Sequence, residues 1–199
     1  MLGQECRVAA AEVPGFDDGL RAAGWSPGPD RVEFGARLDE LPHEVDGPIV
    51  WTPMSSRDEA VRLLGEVAIG DPSGGDIRAA PADALDSWLN EPVLTSGADT
   101  VHVGVHWNRL LAFCMAQVNE RTGWSRITYM GLHPDARGQR LSRWVHRHGF
   151  EMMRAQGGTH YAGGTDVTNG PMLHLFRTHG CRETRRSSVW RLSYALSTR

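Results

Sequence analysis

The stretch Arg137-Gly138-Gln139-Arg140-Leu141-Ser142 has the composition of a loop that grips an anion. It follows a turn at His133-Pro134-Asp135 and runs directly into a helical pattern. In that pattern Leu141, Val145, His148, Met152 and Ala155 recur on one face, with Trp144 on its flank. A helix starting there leaves its first backbone N–H groups unpaired, and its dipole favours negative charge at the same end. A pyrophosphate suits that place. Arg143, Arg147 and Arg154 fall on the opposite side of the helix. An ordinary amphipathic helix after a turn has the same pattern, so the loop alone leaves both readings open.

The nine histidines raise the question of a metal. His146 and His148 lie two apart on the helix and diverge by about 200°, so they share no ligand-facing side. His102 and His106 alternate onto one face of a strand, but no third ligand accompanies them. No metal is expected. Cys6, Cys114 and Cys181 are odd in number and widely spaced, which fits neither a disulfide framework nor a zinc site. Reduced thiols and a cytoplasmic location follow.

The 199 residues suffice for one well-cored domain and fall short of two. At 40% hydrophobic and 23% charged, the composition is that of a soluble globular chain. A net charge of −3 offers no argument for a nucleic-acid partner. All 21 basic residues are arginine, a skew that speaks of base composition rather than chemistry. Neither a signal peptide nor a run long enough to span a membrane is evident.

Those residues need elements to position them. Residues 1–46 are punctuated by proline and glycine, leaving room for a short helix from Phe16 to Ala23 and a strand from Arg31 to Leu38. Pro48 to Thr52 reads as a strand. Ser55-Ser56-Arg57-Asp58-Glu59 then opens a helix with a serine cap and acids in its first turn. Asp71 to Asp76 reads as a loop, and a second helix covers Ala82 to Leu89 after Pro81. Thr100 to His106 and Leu110 to Val118 form a hairpin around Trp107-Asn108-Arg109, and a third strand runs up to Pro134. Beyond the long helix come a strand from Thr159 to Thr165, a helix capped by Asn169 and stopped at Gly180, and a last strand from Ser187 to Tyr194.

His133-Pro134-x-x-Arg137-Gly138 after a strand resembles the cofactor motif of the GCN5-related N-acetyltransferases, the GNAT superfamily. Asn169-x-x-Met172-x-x-Leu175-Phe176-x-x-x-Gly180 resembles the family's second motif, Asn-x-x-Ala-x-x-Leu-Tyr-x-x-x-Gly-Phe. The resemblance covers roughly residues 48 to 194. It implies an α/β (α+β) fold: a mixed, mostly antiparallel sheet splayed between its fourth and fifth strands, with helices on both faces. Residues 47–199 are then the acetyltransferase domain and 1–46 an extension. Leu20-Arg21-x-x-Gly24-Trp25, with Phe34 and Leu38, parallels Phe176-Arg177-x-x-Gly180-Cys181, with Trp190 and Tyr194, at identical offsets. Either chance or the remnant of a tandem repeat accounts for this.

The resemblance implies acetyl-CoA as acyl donor, with direct attack of an acceptor amine on the thioester. It places the pantetheine arm against Met130 and Leu132 and the pyrophosphate against Gly138, Gln139, Arg140, Leu141 and Ser142. Arg137, Asn169 and Phe176 complete the cofactor site. A backbone N–H at Leu132 serves as oxyanion donor. Three positions depart from the family. Arg140 and Ser142 stand where the loop carries Gly and Gly/Ala. Phe176 replaces a tyrosine that protonates the leaving thiolate. Arg126 and Thr128 occupy the positions of the family's basic Glu or His, which leaves water, His102, His106, Glu120, His133 or Asp166 as candidates. Asp71, Asp76, Asp83 and Asp86 are available to a cationic substrate. The expected partner is a small-molecule amine, without nucleic acid or membrane, and a homodimer is compatible with this. The departures also support an alternative, a degenerate acyl-CoA-binding sensor or scaffold with little catalysis.

Overall fold

The computed structural model describes residues 5–9, 16–43, 46–71 and 74–192. Nine strands form one sheet: β1 Glu5–Ala9, β2 Trp25–Pro27, β3 Arg31–Arg37, β4 Val50–Pro53, β5 Val101–His106, β6 Arg109–Val118, β7 Trp124–Leu132, β8 His160–Asp166 and β9 Arg182–Leu192. Among the described residues six helices accompany them: α1 Phe16–Ala22, α2 Arg57–Val67, α3 Gly75–Ala79, α4 Pro81–Leu89, α5 Ser142–Ala155 and α6 Gly170–Thr178. The order across the sheet is β1-β9-β3-β8-β7-β6-β5-β4, with β2 also pairing β9. Every pairing is antiparallel except β7 with β8. The architecture is thus the mixed, mostly antiparallel α/β sheet expected.

Period-two alternation along β6 builds both layers at once. Phe113 and Met115 face one way, into a core with Leu63, Leu64 and Val67 of α2 and Leu85 of α4. Ala112, Cys114, Ala116 and Val118 face the other way, against Val145, Phe150 and Met153 of α5. Local signals hold where they were read. Ser56 accepts from the Glu59 N–H, and Asn169 accepts from the Met172 N–H. Trp107 and Asn108 take φ of 47° and 62°, the left-handed pair that turns a two-residue hairpin.

The N-terminal segment differs from an appended extension. β3 lies inside the sheet, paired along its length to β8 on one side and to β9 on the other. Val32 and Phe34 are buried in the α5-side core. The boundary expected between residues 46 and 47 therefore cuts across a continuous sheet, because β8 and β9 leave a strand-wide gap that only residues 31–37 fill. β1, β2 and α3 had no counterpart in the sequence reading. Tyr194, one member of the internal parallel, lies outside the described residues.

Candidate active site

β7 and β8 part company soon after they meet. Their pairing consists of Trp124 with His160 and Ser125 with Tyr161. Farther along β7, Met115 opposes Tyr129 while Ala116 opposes Ile127, so Thr128 is an extra residue in the ladder. Such a bulge bends the strand and increases its twist, which carries β7 away from β8.

The register with β6 decides what the bend exposes. The His133 N–H bonds the Leu111 carbonyl at 2.8 Å, and Leu132 lies opposite Ala112. That makes 112/132 a non-hydrogen-bonded pair, and Cys114/Met130, two residues on, is another. The N–H and C=O groups of Met130 and Leu132 consequently point away from β6, into the gap beside β8. An open cavity of about 270 Å³ occupies this gap, lined among others by Met130, Leu132, Arg137, Ser142, Val145 and Asn169.

At the mouth of the gap, α5 begins at Ser142 with Leu141 before it and no side-chain cap. The first N–H groups of the helix are thus left to solvent or a ligand. Gly138 takes φ of 75° and has open space where a side chain would be. Arg140 takes φ of 59°, a left-handed conformation that a β-carbon disfavours by roughly 1–2 kcal/mol. Its side chain is exposed and does not line the cavity. Gln139 turns back to the Asp135 carbonyl at 2.9 Å. Arg137 points inward: its guanidinium donates to the Leu132 carbonyl at 3.1 Å and to the Val67 carbonyl at 3.0 Å. It ties the end of α2 to the end of β7, and it satisfies one of the two groups that Leu132 turns to the gap.

Two polar features face the middle of the opening. On the β7 wall, Tyr129 donates to Asp71 at 2.8 Å. Both residues line the first cavity and a second one of about 210 Å³ beside it. Burial, followed by the Asp71 charge, pushes the Tyr129 hydroxyl well above its usual range. On the β8 wall, Tyr161 is fully buried, with its hydroxyl 3.2 Å from His146 Nε2. His146 Nδ1 lies 2.9 Å from His179 Nδ1. Burial holds both imidazoles neutral, lowering His146 strongly and His179 to about 4. A third opening, of about 450 Å³, continues from the second toward Arg31, Glu33 and Arg126.

The base candidates read from sequence stand elsewhere. His133 Nδ1 accepts from the Asp135 N–H and braces the turn. Glu120 is exposed in the β6–β7 turn, roughly 25 Å along β7 from Leu132 at strand rise. Asp166 is buried 3.6 Å from Arg31. His106 bonds the Pro48 carbonyl and His102 bonds His148. None of the five lines these cavities. The register shift opposite Gly104 and Val105 leaves Leu111 of β6 as the extra residue, and His102 and His106 keep their separate partners on β5.

Of the four aspartates, Asp71 alone lines the cavities, whereas Asp86 is paired with Arg57. Tyr129 carries no motif of its own, since the family resemblance points to its neighbours Met130 and Leu132. Its signal was present, since it is the residue of β7 that must face the opposite layer. Phe176 lines the second cavity, buried and stacked 4.5 Å from Phe34.

Known structures share this fold. A GCN5-related N-acetyltransferase from Sphaerobacter thermophilus superposes with a TM-score of 0.63 at 17% identity, over 94% of this chain and 58% of that one. Another from Kribbella flavida gives 0.62 at 11% identity, over 95% and 68%. A tandem GNAT protein from the clavulanic acid biosynthesis pathway gives 0.65 at 13%, over 95% and 64%. At such identities the likeness is one of fold, and the chain spans less than two thirds of the first and third of these proteins. No curated protein matches it in sequence. The model of the acetyltransferase (GNAT) family matches residues 74–181, more than half of the chain, and the chain belongs to that family.

Proposed function

We propose that this protein is an acetyl-CoA-dependent N-acetyltransferase that acylates the amine of a small molecule. The observation that carries the reading is the inner edge of β7, which turns the backbone groups of Met130 and the Leu132 N–H away from β6 and into the gap, ending beside the uncapped start of α5. An extended chain of amides suits the first and a diphosphate the second. Gly138 to Ser142 would hold the diphosphate, while Met130, Leu132, Asn169 and Phe176 would flank the arm. When bound, acetyl-CoA supplies an acyl carbon already activated by its thioester.

The remaining work falls to the chain. Asp71 offers a carboxylate in the middle of the cleft, where it attracts an ammonium and takes up its proton. Tyr129 orients that carboxylate. A backbone N–H of Met130 or Leu132, turned into the gap, suits the oxyanion that develops at the acyl carbon. The buried walls exclude water from the middle of the cleft, and the amine enters from the end lined by Arg31, Glu33 and Arg126.

Phe176 favours a second reading, an acyl-CoA-binding protein with little turnover, because it has no proton to offer a leaving thiolate. One experiment separates the two. Acetyl-CoA and a library of small amines are incubated with the protein while free thiol is followed, and acetyl-CoA binding is measured in parallel by calorimetry. Thiol release with a subset of amines supports the enzyme. Binding without release supports the sensor, and neither overturns both.

A further inference from the structure

We infer that Tyr161 donates a hydrogen bond to the departing sulfur, from the wall opposite Asp71, and thereby fills the role left open by Phe176; this rests on the acyl transfer proposed above. The hydroxyl borders the second cavity, beside Phe176 and Gly163. A β-carbon placed on Gly163 would overlap the Tyr161 hydroxyl and would lie 2.9 Å from Phe176 Cε1. Both groups therefore close on the point that Gly163 leaves without a side chain. Tyr161, Gly163 and Phe176 line the same cavity, together with Met130 and Thr128 of the opposite wall.

His179 Nδ1 lies 2.9 Å from His146 Nδ1, and His146 Nε2 lies 3.2 Å from the Tyr161 oxygen, contacts that neutral groups satisfy in either of two orders. In the order this role uses, His179 Nδ1–H donates to His146 and His146 Nε2–H donates to Tyr161. The Tyr161 O–H is then left to point into the cleft. Burial keeps both imidazoles neutral and keeps the phenol protonated. Cys114 and Cys181 beside Tyr161, and Arg147 beside His179, are the other titratable or charged neighbours. In the reaction the amine nitrogen bonds the acyl carbon, the C–S bond breaks, and its electron pair goes to sulfur. The nitrogen's proton passes to Asp71 and solvent, and the thiolate later takes one proton from solvent. Tyr161 stabilises the sulfur charge and ends the cycle protonated, with His146 and His179 as positioning residues.

The test uses the whole chain and two readouts. Calorimetry first measures CoA and acetyl-CoA binding without acceptor, and absorbance near the thiolate band then follows ionisation of bound CoA against pH. Tyr161→Phe is expected to leave acetyl-CoA affinity unchanged, to weaken thiolate formation about 10- to 100-fold, and to slow thiol release by a similar factor. Phe176→Tyr in the same chain is expected to restore part of both. Site-specific 3-fluorotyrosine at position 161 keeps the shape and strengthens the donor, so thiolate should appear at lower pH even if Tyr161→Phe folds poorly. Unchanged thiolate ionisation in both variants overturns the role of Tyr161 while leaving the acetyltransferase reading intact. Absence of acetyl-CoA binding by the unaltered protein overturns both.

Discussion

Two tyrosines face the cleft from its two walls, and their surroundings assign them opposite work. Tyr129 on β7 gives its proton to a carboxylate, Asp71, that borders two cavities. Tyr161 on β8 is sealed among aromatic rings, with neutral imidazoles behind it. Burial raises both phenols, so neither ionises in the ordinary range. The difference lies in the partner. In the mechanism proposed above, one hydroxyl orients a carboxylate toward an ammonium, and the other hydrogen-bonds the departing sulfur and keeps its proton.

The largest effect should come from removing the charge on the β7 wall. Asp71→Asn keeps an acceptor for Tyr129 but loses the base, and kcat/KM for the amine is expected to fall about 100-fold. The dissociation constant for acetyl-CoA should stay the same. Steady-state kinetics with parallel calorimetry measure both, and an unchanged kcat/KM would remove Asp71 from the chemistry.

Next come the glycines that let each wall close. At Gly131 of β7 a β-carbon would lie 2.9 Å from Val67 Cβ of α2, and at Gly163 it would strike Tyr161 and Phe176. Alanine at either site should cost about 1–3 kcal/mol in chemical denaturation. Gly163→Ala should also mimic the loss of Tyr161, whereas Gly131→Ala should chiefly weaken acetyl-CoA binding. If the two variants behave alike, the walls do not divide the work.

Stability against pH gives a third contrast. His146 and His179 are neutral in the fold, with His179 lowered to about 4, while unfolded histidines protonate below about 6.5. The unfolded chain therefore binds more protons, and stability should fall as pH drops through 6.5. Each histidine contributes at most about 1.4 kcal/mol per pH unit, and the His179 share ends near pH 4. His179→Asn should flatten the curve between pH 6.5 and 4. A slope unchanged by that variant would contradict a buried neutral chain.

The smallest change belongs to the loop. Arg140→Gly relieves a left-handed residue but frees the unfolded chain, so the net gain should be at most about 1 kcal/mol. Acetyl-CoA affinity should rise a few-fold as the backbone comes closer to phosphate. Weaker binding would mean that the guanidinium itself contributes.

Much of this could be read along the chain. Local rules place the caps at Ser56 and Asn169, the turn at Trp107 and Asn108, and the helix that starts at Ser142, because each depends on neighbours within a few residues. The two motifs around Arg137 and Asn169 likewise carried the family.

Other facts depend on residues far apart in sequence. β3 fills a gap between strands more than 120 positions downstream, and no local pattern in Arg31–Arg37 announces that partner. The extra residue at Thr128 becomes visible only against the register of β6, yet it opens the cleft. Asp71 meets Tyr129 across 58 positions, and His146 meets His179 across 33. Sequence determined which groups were available and on which side of each element they lay. Only folding decided which of them share a space, because proton transfer and charge attraction act over a few ångströms of real distance, and spacing along the chain does not measure that.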